Sequence, residues 1–291
     1  MKVRIISPSD RVTIHQDWWG DYWVKNDLQN EFTKRGYEIV NENSDLDFCL
    51  LGRPQKNLTA KRRFCWIYSH VDNVRKRGRG WIEYAKQFEH MFVLSHQLFP
   101  IVQKDFKNSS ILLGASSKKF SWRKNIPKYD IGFIGNIGKP ARVQTIKYLI
   151  SLNKYKICLA GGTGWPNALG KDIKKVSYVA YVENEKMGDF FNNAKVSFYS
   201  GHEDMRKNGL VAVRILDIFC SSECLCIGDE NPGLKDMFDY IPTYRTKEEL
   251  VELIDWYLEH PEEADNLASA CRDDASKFTF KKVVDEIEKF I

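Results

Sequence analysis

The 291-residue chain predicts an α/β protein made of two successive halves, each a parallel sheet crossed by helices. Three observations predict it. Short apolar runs rich in β-branched and aromatic residues recur along the chain and alternate with stretches of helical period. The pattern then restarts at Asp130, where an apolar run enters Gly135-Asn136-Ile137-Gly138-Lys139 and a second helix. Finally, 43% hydrophobic and 29% charged residues suit sizeable cores in a soluble chain, and no apolar run approaches the roughly 18 residues of a membrane span.

The elements follow in order. Residues 2–7 are strand-like, too short and too early in charge pattern for a signal peptide. A polar and aromatic loop then carries His15, Trp18, Trp19, Gly20 and Asp21. Residues 22–35 show helical spacing through Val24, Leu28 and Phe32, and Gly36 closes that helix. Strands are expected over 37–40, 48–52, 64–68 and 91–95. Between them lie Ser69-His70-Val71-Asp72 and the basic run Arg75-Lys76-Arg77-Gly78-Arg79. Residues 116–128 read as a basic linker, dividing an N-terminal domain (1–127) from a second domain (128–270). The second domain predicts strands near 130–136, 157–160, 176–179, 196–199 and 225–227, with helices at 143–152 and 250–258. A last amphipathic helix (271–291 with its lead-in) carries Phe280, Val283, Val284, Ile287 and Ile291 on one face and is expected to pack back on the N-terminal domain.

Charge is uneven. Residues 1–127 hold 22 basic against 13 acidic side chains, a net of +9, and residues 128–291 hold 22 against 26, a net of −4, returning the overall +5. A basic first half implies an anionic partner (a membrane surface, a phosphorylated acceptor or nucleic acid) or a solvated basic face. The seven cysteines are scattered. Cys49, Cys158 and Cys226 fall in apolar strands and read as reduced core residues of a cytoplasmic protein. Cys224-x-Cys226 has no second ligand pair, so zinc is not implied.

Residues 202–229 form the most informative stretch. A polar loop follows the strand at 196–199, and Gly209 is expected to open a helix running through Leu210, Val213, Leu216 and Asp217. A strand ending at Gly228-Asp229 comes next. In such a βαβ unit a ligand binds at the carboxyl end of the first strand, and the first helical N–H groups, here those of Leu210 and Val211, can meet an anion. Arg214 and Asp217 interrupt the apolar helix. They read either as an edge pair or as part of a nucleotide site, with Asp217 on a ribose and Arg214 its structural partner.

From Tyr129 to Phe238 the chain resembles the C-terminal half of GT-B glycosyltransferases, in particular the bacterial "glycosyl transferases group 1" branch with its CgeB-like proteins. Four stretches carry this. They are Asp130 to Asn136; Tyr181-Val182-Glu183-Asn184-Glu185 with Phe190-Phe191-Asn192-Asn193-Ala194; Glu203-Asp204-Met205-Arg206 with Gly209 through Asp217; and Asn231-Pro232-Gly233-Leu234-Lys235-Asp236-Met237-Phe238. The first half matches more loosely, at Trp19-Gly20-Asp21-Tyr22 and Tyr68-Ser69-His70-Val71-Asp72. Two departures stand out: Asp217 where such enzymes carry glutamate, and Cys220-Ser221-Ser222 where they end the helix in small residues and a glycine.

The resemblance implies two Rossmann-like domains facing across a cleft, and transfer of a sugar from a nucleotide diphosphate sugar to an acceptor hydroxyl, by analogy with retention. No separate cofactor and no metal are implied. Asp45-Leu46-Asp47 precedes a strand and reads as loop polarity. Lys139 and Arg142 are candidates for the diphosphate, and loss of either would cut turnover roughly a hundredfold. Gly135, Asn136, Gly138, His202, Arg206, Gly209, Leu210, Val211 and Asp217 are the donor-binding candidates. Asp21 or His70 would act on the acceptor hydroxyl as a general base; alternatively His70 contacts the donor. His15, Trp18 and Trp19 form an acceptor wall or fold back into the core. Two other readings stand beside this one: a degenerate GT-B protein that binds nucleotide or glycan without turnover, and a DNA-modifying glycosyltransferase using Lys61-Arg62-Arg63 and residues 75–79. Peripheral membrane contact is a further expectation of the basic half.

Overall fold

A computed structural model describes residues 1–7, 20–50, 58–67, 80–138 and 140–291. It contains two compact units. Unit 1 comprises Met1–Ser117, Glu203–Val213 and Phe278–Ile291; unit 2 comprises Lys118–His202 and Arg214–Lys277. The division thus falls ten residues before the expected 127/128 boundary. The reason is that the segment after Ser117 is bonded to unit 2: Ser121 N–H donates to Ser221 O (3.1 Å) and Lys128 N–H to Asn193 O (3.0 Å).

Unit 1 holds six parallel strands: β1 (Lys2–Ile6), β2 (Glu38–Ile39), β3 (Leu46–Leu50), β4 (Arg62–Ile67), β5 (His90–Val93) and β6 (Ser109–Ile111), in the order β2-β1-β3-β4-β5-β6. β6 carries no alternating pattern and escapes sequence reading. Every residue of β3 is buried, including Asp47. Its carboxylate is satisfied by the fork of Arg4 (Nε and Nη2 both 2.8 Å), Ser44 Oγ (2.6 Å) and the N–H groups of Thr59 and Ala60. Burial alone would raise its pKa; these donors outweigh burial and hold it below the ordinary carboxylate range. Asp45 accepts from the Lys2 N–H. Both carboxylates of Asp45-Leu46-Asp47 therefore have structural partners.

The last helix (Phe280–Glu288) buries Phe280, Val283, Val284 and Ile287, the stripe read from sequence, and Thr279 caps its start. It lies in the unit 1 core. Arg35 binds Glu288 (2.5 Å) and Asp285 (2.8 Å), and Tyr37 donates to Glu288 (3.0 Å).

His90 opens β5 almost fully buried. Its ring stacks on Phe290 at 3.8 Å and its Nε2 meets Ser110 Oγ at 2.8 Å. Burial pushes its pKa down to about 4. An unfolded histidine titrates near 6.5, so between those values the unfolded chain binds more protons. Stability from this site is whole above about pH 6.5 and falls as pH drops toward about 4, by on the order of 3 kcal/mol. Urea unfolding from pH 7 to 4.5 should show a steeper loss for the wild type than for His90→Phe. Parallel curves would refute this.

Unit 2 also has six parallel strands: β7 (Tyr129–Ile134), β8 (Ile157–Ala160), β9 (Ser177–Val179), β10 (Ala194–Phe198), β11 (Leu225–Asp229) and β12 (Thr243–Tyr244), ordered β12-β11-β10-β7-β8-β9. The chain builds outward from β7 through β8 to β9, then jumps to the other side of β7 with β10. That reversal is the topological switch point, where open α/β sheets bind ligands beyond the strand carboxyl ends. The helix Pro261–Ala275 was not evident in the sequence, because its buried face is made of Ala264, Ala268, Cys271 and Ala275 rather than large apolar residues. The seven cysteines are free thiols, six of them buried. Burial raises Cys158 to about 11 and Cys224 and Cys271 to about 12, which makes these thiols poor nucleophiles. Among the described residues no helix is long and apolar enough to cross a membrane.

Candidate active site

Four strands deliver loops to the switch end of the unit 2 sheet. After β7 comes Gly135-Asn136-Ile137-Gly138, and after β8 comes Gly161-Gly162. Gly135 N–H donates to Ala160 O (2.9 Å), and Trp165 Nε1 donates to Gly135 O (2.7 Å). Gly161 has φ of +109°, and a Cβ there would lie 2.7 Å from both Gly135 N and Gly135 O. The two glycine loops therefore rest backbone on backbone, an approach only glycine permits. Gly138 N–H turns back onto Asn136 Oδ1 (3.2 Å). Lys139 lies outside the described residues.

Arg142 joins this loop to the one after β10. It stands in the first turn of the helix Pro140–Ser151 and is only 9% exposed. Its Nη1 donates to Asn136 O (2.6 Å) and its Nη2 to Ser200 O (3.1 Å). The guanidinium lies 5.5 Å from the Phe133 ring centroid. Nε is buried with no hydrogen-bond partner among the described residues. Among the described residues no carboxylate pairs with Arg142 at ion-pair distance. Burial lowers its pKa, with Tyr199, Tyr244 and Asp229 pulling the other way, but a guanidinium stays charged at neutral pH. The two terminal nitrogens of Arg142, a candidate for the diphosphate, hold loop carbonyls and so tie the two switch-point loops together.

Beyond Ser200, Gly201 N–H donates to the buried carboxylate of Asp229 (2.5 Å), and Tyr244 OH donates to Tyr199 O (3.0 Å). Sequence reading passed over Ser200, Asp229 and Trp165. A buried aspartate at the end of an apolar strand was the available signal for Asp229. For Ser200, which acts through its carbonyl, there was none. His202 is exposed at the end of this loop.

The helix of the central stretch begins at Arg214, not at Gly209. Gly209 instead ends a short helix, Glu203–Lys207. Leu210 N–H returns to Met205 O (2.9 Å), Gly209 N–H returns to Arg206 O (3.3 Å), and Gly209 has φ of +65°. This is a Schellman turn, in which glycine supplies the left-handed residue just past the helix. The Leu210 N–H is thereby used, and the first-turn donors belong to the helix that starts at Arg214 rather than to Leu210 and Val211. Leu210 and Val211 are buried, and Arg206, Gly209, Leu210 and Val211 all belong to unit 1. There Ser95 Oγ donates to Asn208 O (2.5 Å). The structure therefore gathers Gly135, Asn136, Gly138 and Arg142 at one switch point in unit 2, and carries the other four in a different compact body.

Arg214, Asp217 and Cys220 form the half-exposed face of the helix Arg214–Ser221, while Ile215, Leu216, Ile218 and Phe219 are buried. Arg214 Nη1 contacts Met187 Sδ. The Ser221-Ser222 departure has a physical account. Ser221 Oγ donates to Asp217 O (2.6 Å) and Ser222 Oγ to Ile218 O (2.8 Å), so hydroxyls serve the last carbonyls. The close packing expected of a glycine here is supplied from the facing helix, where a Cβ on Gly188 would collide with Ser221 O.

In unit 1 the switch point lies between β1 and β3. The loops leaving those strands, with His15, Trp18 and Trp19, lie outside the described residues, as do His70, residues 75–79 and the side chain of Asp21. Of the basic run at 61–63, Arg62 engages Glu89 and the Phe290 and Ile291 carbonyls, and Arg63 donates to Ala60 O.

Two parallel sheets, one with the 3-2-1-4-5-6 order, define a pair of Rossmann-like units, and folds of this kind bind ligands at the switch point. A family model described as glycosyl transferase-like matches residues 142–289, just over half of the chain. The chain belongs to that glycosyltransferase family and is an enzyme of the sugar-transferring class. No functionally curated protein matches it in sequence. Among solved structures it is similar to sucrose-phosphate synthase from Thermosynechococcus elongatus, with TM-score 0.70, 9% identity, and 99% of this chain and 98% of that one covered. It is also similar to T4 phage β-glucosyltransferase, solved with its UDP-glucose substrate, with TM-score 0.65, 12% identity, and 100% and 98% covered. TarM aligns over 84% of this chain and 54% of its own, with TM-score 0.62 and 11% identity. At these identities the likeness shows the shared GT-B fold.

Proposed function

We propose that the protein seats a nucleotide diphosphate sugar at the carboxyl ends of β7 and β10 and transfers the sugar to a glycan hydroxyl, with retention and without an essential metal. The observation that carries the reading is Arg142. A buried cation without an ion-pair partner is costly to fold, and its position at the switch point gives that cost a use. As the glycosidic bond breaks, negative charge grows on the β-phosphate. The fixed field of Arg142, the Lys139 ammonium and the first-turn N–H groups of the helix Arg214–Ser221 all favour that charge. Asp217, on the open face of that helix, accepts from the ribose hydroxyls, and His202 contacts the sugar. Asp21 or His70 takes the acceptor proton.

The group 1, CgeB-like branch is the affiliation we favour, in a cytoplasmic enzyme whose cysteines stay reduced. A DNA acceptor has thinner support, because Arg62 and Arg63 are spent within unit 1. Thermal-shift screening against UDP, GDP, dTDP and CMP sugars tests the donor reading, since a ligand at 100 times its Kd adds about 2.7 kcal/mol. Donor turnover by the responding pair should persist in chelator and fall about a hundredfold in Lys139→Ala. Turnover abolished by chelator, or unchanged in Lys139→Ala, would overturn the metal-free diphosphate site.

A further inference from the structure

The segment from Lys118 into β7 has neither helix nor strand and bends at Asn125 and Lys128, yet it is held firmly. Ser121 N–H donates to Ser221 O, Asn192 Nδ2 to Ser121 O (2.6 Å), Arg123 N–H to Glu223 Oε2 (3.0 Å) and Lys128 N–H to Asn193 O. Arg123 also reaches Glu223 and Asp265. Ser121 and Arg123 are half-buried and bonded to the protein, whereas Trp122, Lys124, Ile126 and Lys128 are exposed. Trp122 is 70% exposed and Ile126 88% exposed. A single exposed apolar residue needs no explanation. Here the two most exposed large apolar side chains besides Tyr240 among the described residues stand four positions apart on a pinned segment, flanked by exposed Lys119, Lys124 and Lys128. From 118 to 128 there are five cations and no acid.

We infer that this face is a membrane-surface contact, in which Trp122 and Ile126 enter the headgroup boundary of a bilayer and the three lysines meet anionic lipid. An apolar pair with an indole suits the interface, and each lysine near an anionic surface contributes about fivefold in affinity. Charge complementarity selects anionic over neutral lipid, and the apolar pair selects a bilayer over a nucleic acid duplex, which offers cations phosphates but gives Ile126 no apolar phase. The segment meets the amino end of β7 and the final carbonyls of the helix Arg214–Ser221. It therefore lies at the end of the unit 2 sheet away from the donor loops, and the inference does not depend on the donor assignment.

The test is sedimentation of the full chain with phosphatidylcholine vesicles, with and without phosphatidylglycerol, and in parallel with a DNA duplex. Binding should require phosphatidylglycerol. It should weaken more than tenfold in Trp122→Ala/Ile126→Ala, and by about a hundredfold in Lys119→Ser/Lys124→Ser/Lys128→Ser. The exposed positions should leave the melting temperature unchanged. Absence of vesicle binding would overturn the inference. So would vesicle binding indifferent to the apolar pair, preferential duplex binding lost with the lysines alone, or a chain dimer dissolved by Trp122→Ala/Ile126→Ala.

Discussion

Arg142→Met should reduce turnover at least about a hundredfold and weaken donor binding, while Arg142→Lys should retain part of both. The methionine keeps most of the apolar stem beside Phe133 but leaves Asn136 O and Ser200 O without their donor. Each orphaned carbonyl costs about 1–3 kcal/mol. Removing a buried, unneutralised charge works the other way, so the net loss of stability should be smaller, about 2 kcal/mol. Lysine keeps the charge but cannot fork between two carbonyls. The two substitutions thus separate the field from the tether. If both lose turnover equally, the charge contributes nothing beyond loop spacing. If both bind and turn over donor normally, the switch-point assignment fails.

Gly161→Ala should cost about 3–5 kcal/mol, from left-handed strain and overlap together. In a protein of this size that is a fall of about 10 °C in Tm. The methyl group would sit 2.7 Å from Gly135 N and O, and neither backbone atom can rotate away. Relief requires the Gly135 loop to lift, which breaks its bonds to Ala160 O and Trp165 Nε1 and displaces Asn136. Gly170→Ala is the control. Its φ is also positive, at +58° with ψ of −124°, but nothing lies within 4 Å of its Cβ position, so it should lose only the backbone strain, about 1–3 kcal/mol. Equal losses at the two positions would mean that the glycine loops are not in backbone contact. Donor affinity should fall in Gly161→Ala and hold in Gly170→Ala.

The candidate site was legible where residue type follows a local pattern. Gly135, Asn136, Gly138 and Arg142 follow one strand within eight positions, and the structure keeps them together. Gly209 misled because glycine marks both ends of helices: its neighbours Leu210 and Val211 are apolar enough to read as the start of a buried helix, while the return bonds from Gly209 and Leu210 to Arg206 and Met205 make it a helix end. The missing glycine after Cys220 was supplied by Gly188, more than thirty residues earlier in the chain, and a packing contact between helices has no signature in either segment alone.

By itself the sequence determined the two α/β halves, most of their central strands and the stripe on the last helix, because side-chain period and turn chemistry are local. Only the tertiary structure decided that residues 203–213 join unit 1, that Arg142 ties Asn136 to Ser200, and that Gly161 bears on Gly135. Each of those contacts ends on a backbone group, and every residue has the same backbone groups to offer, so residue type does not say which one is met.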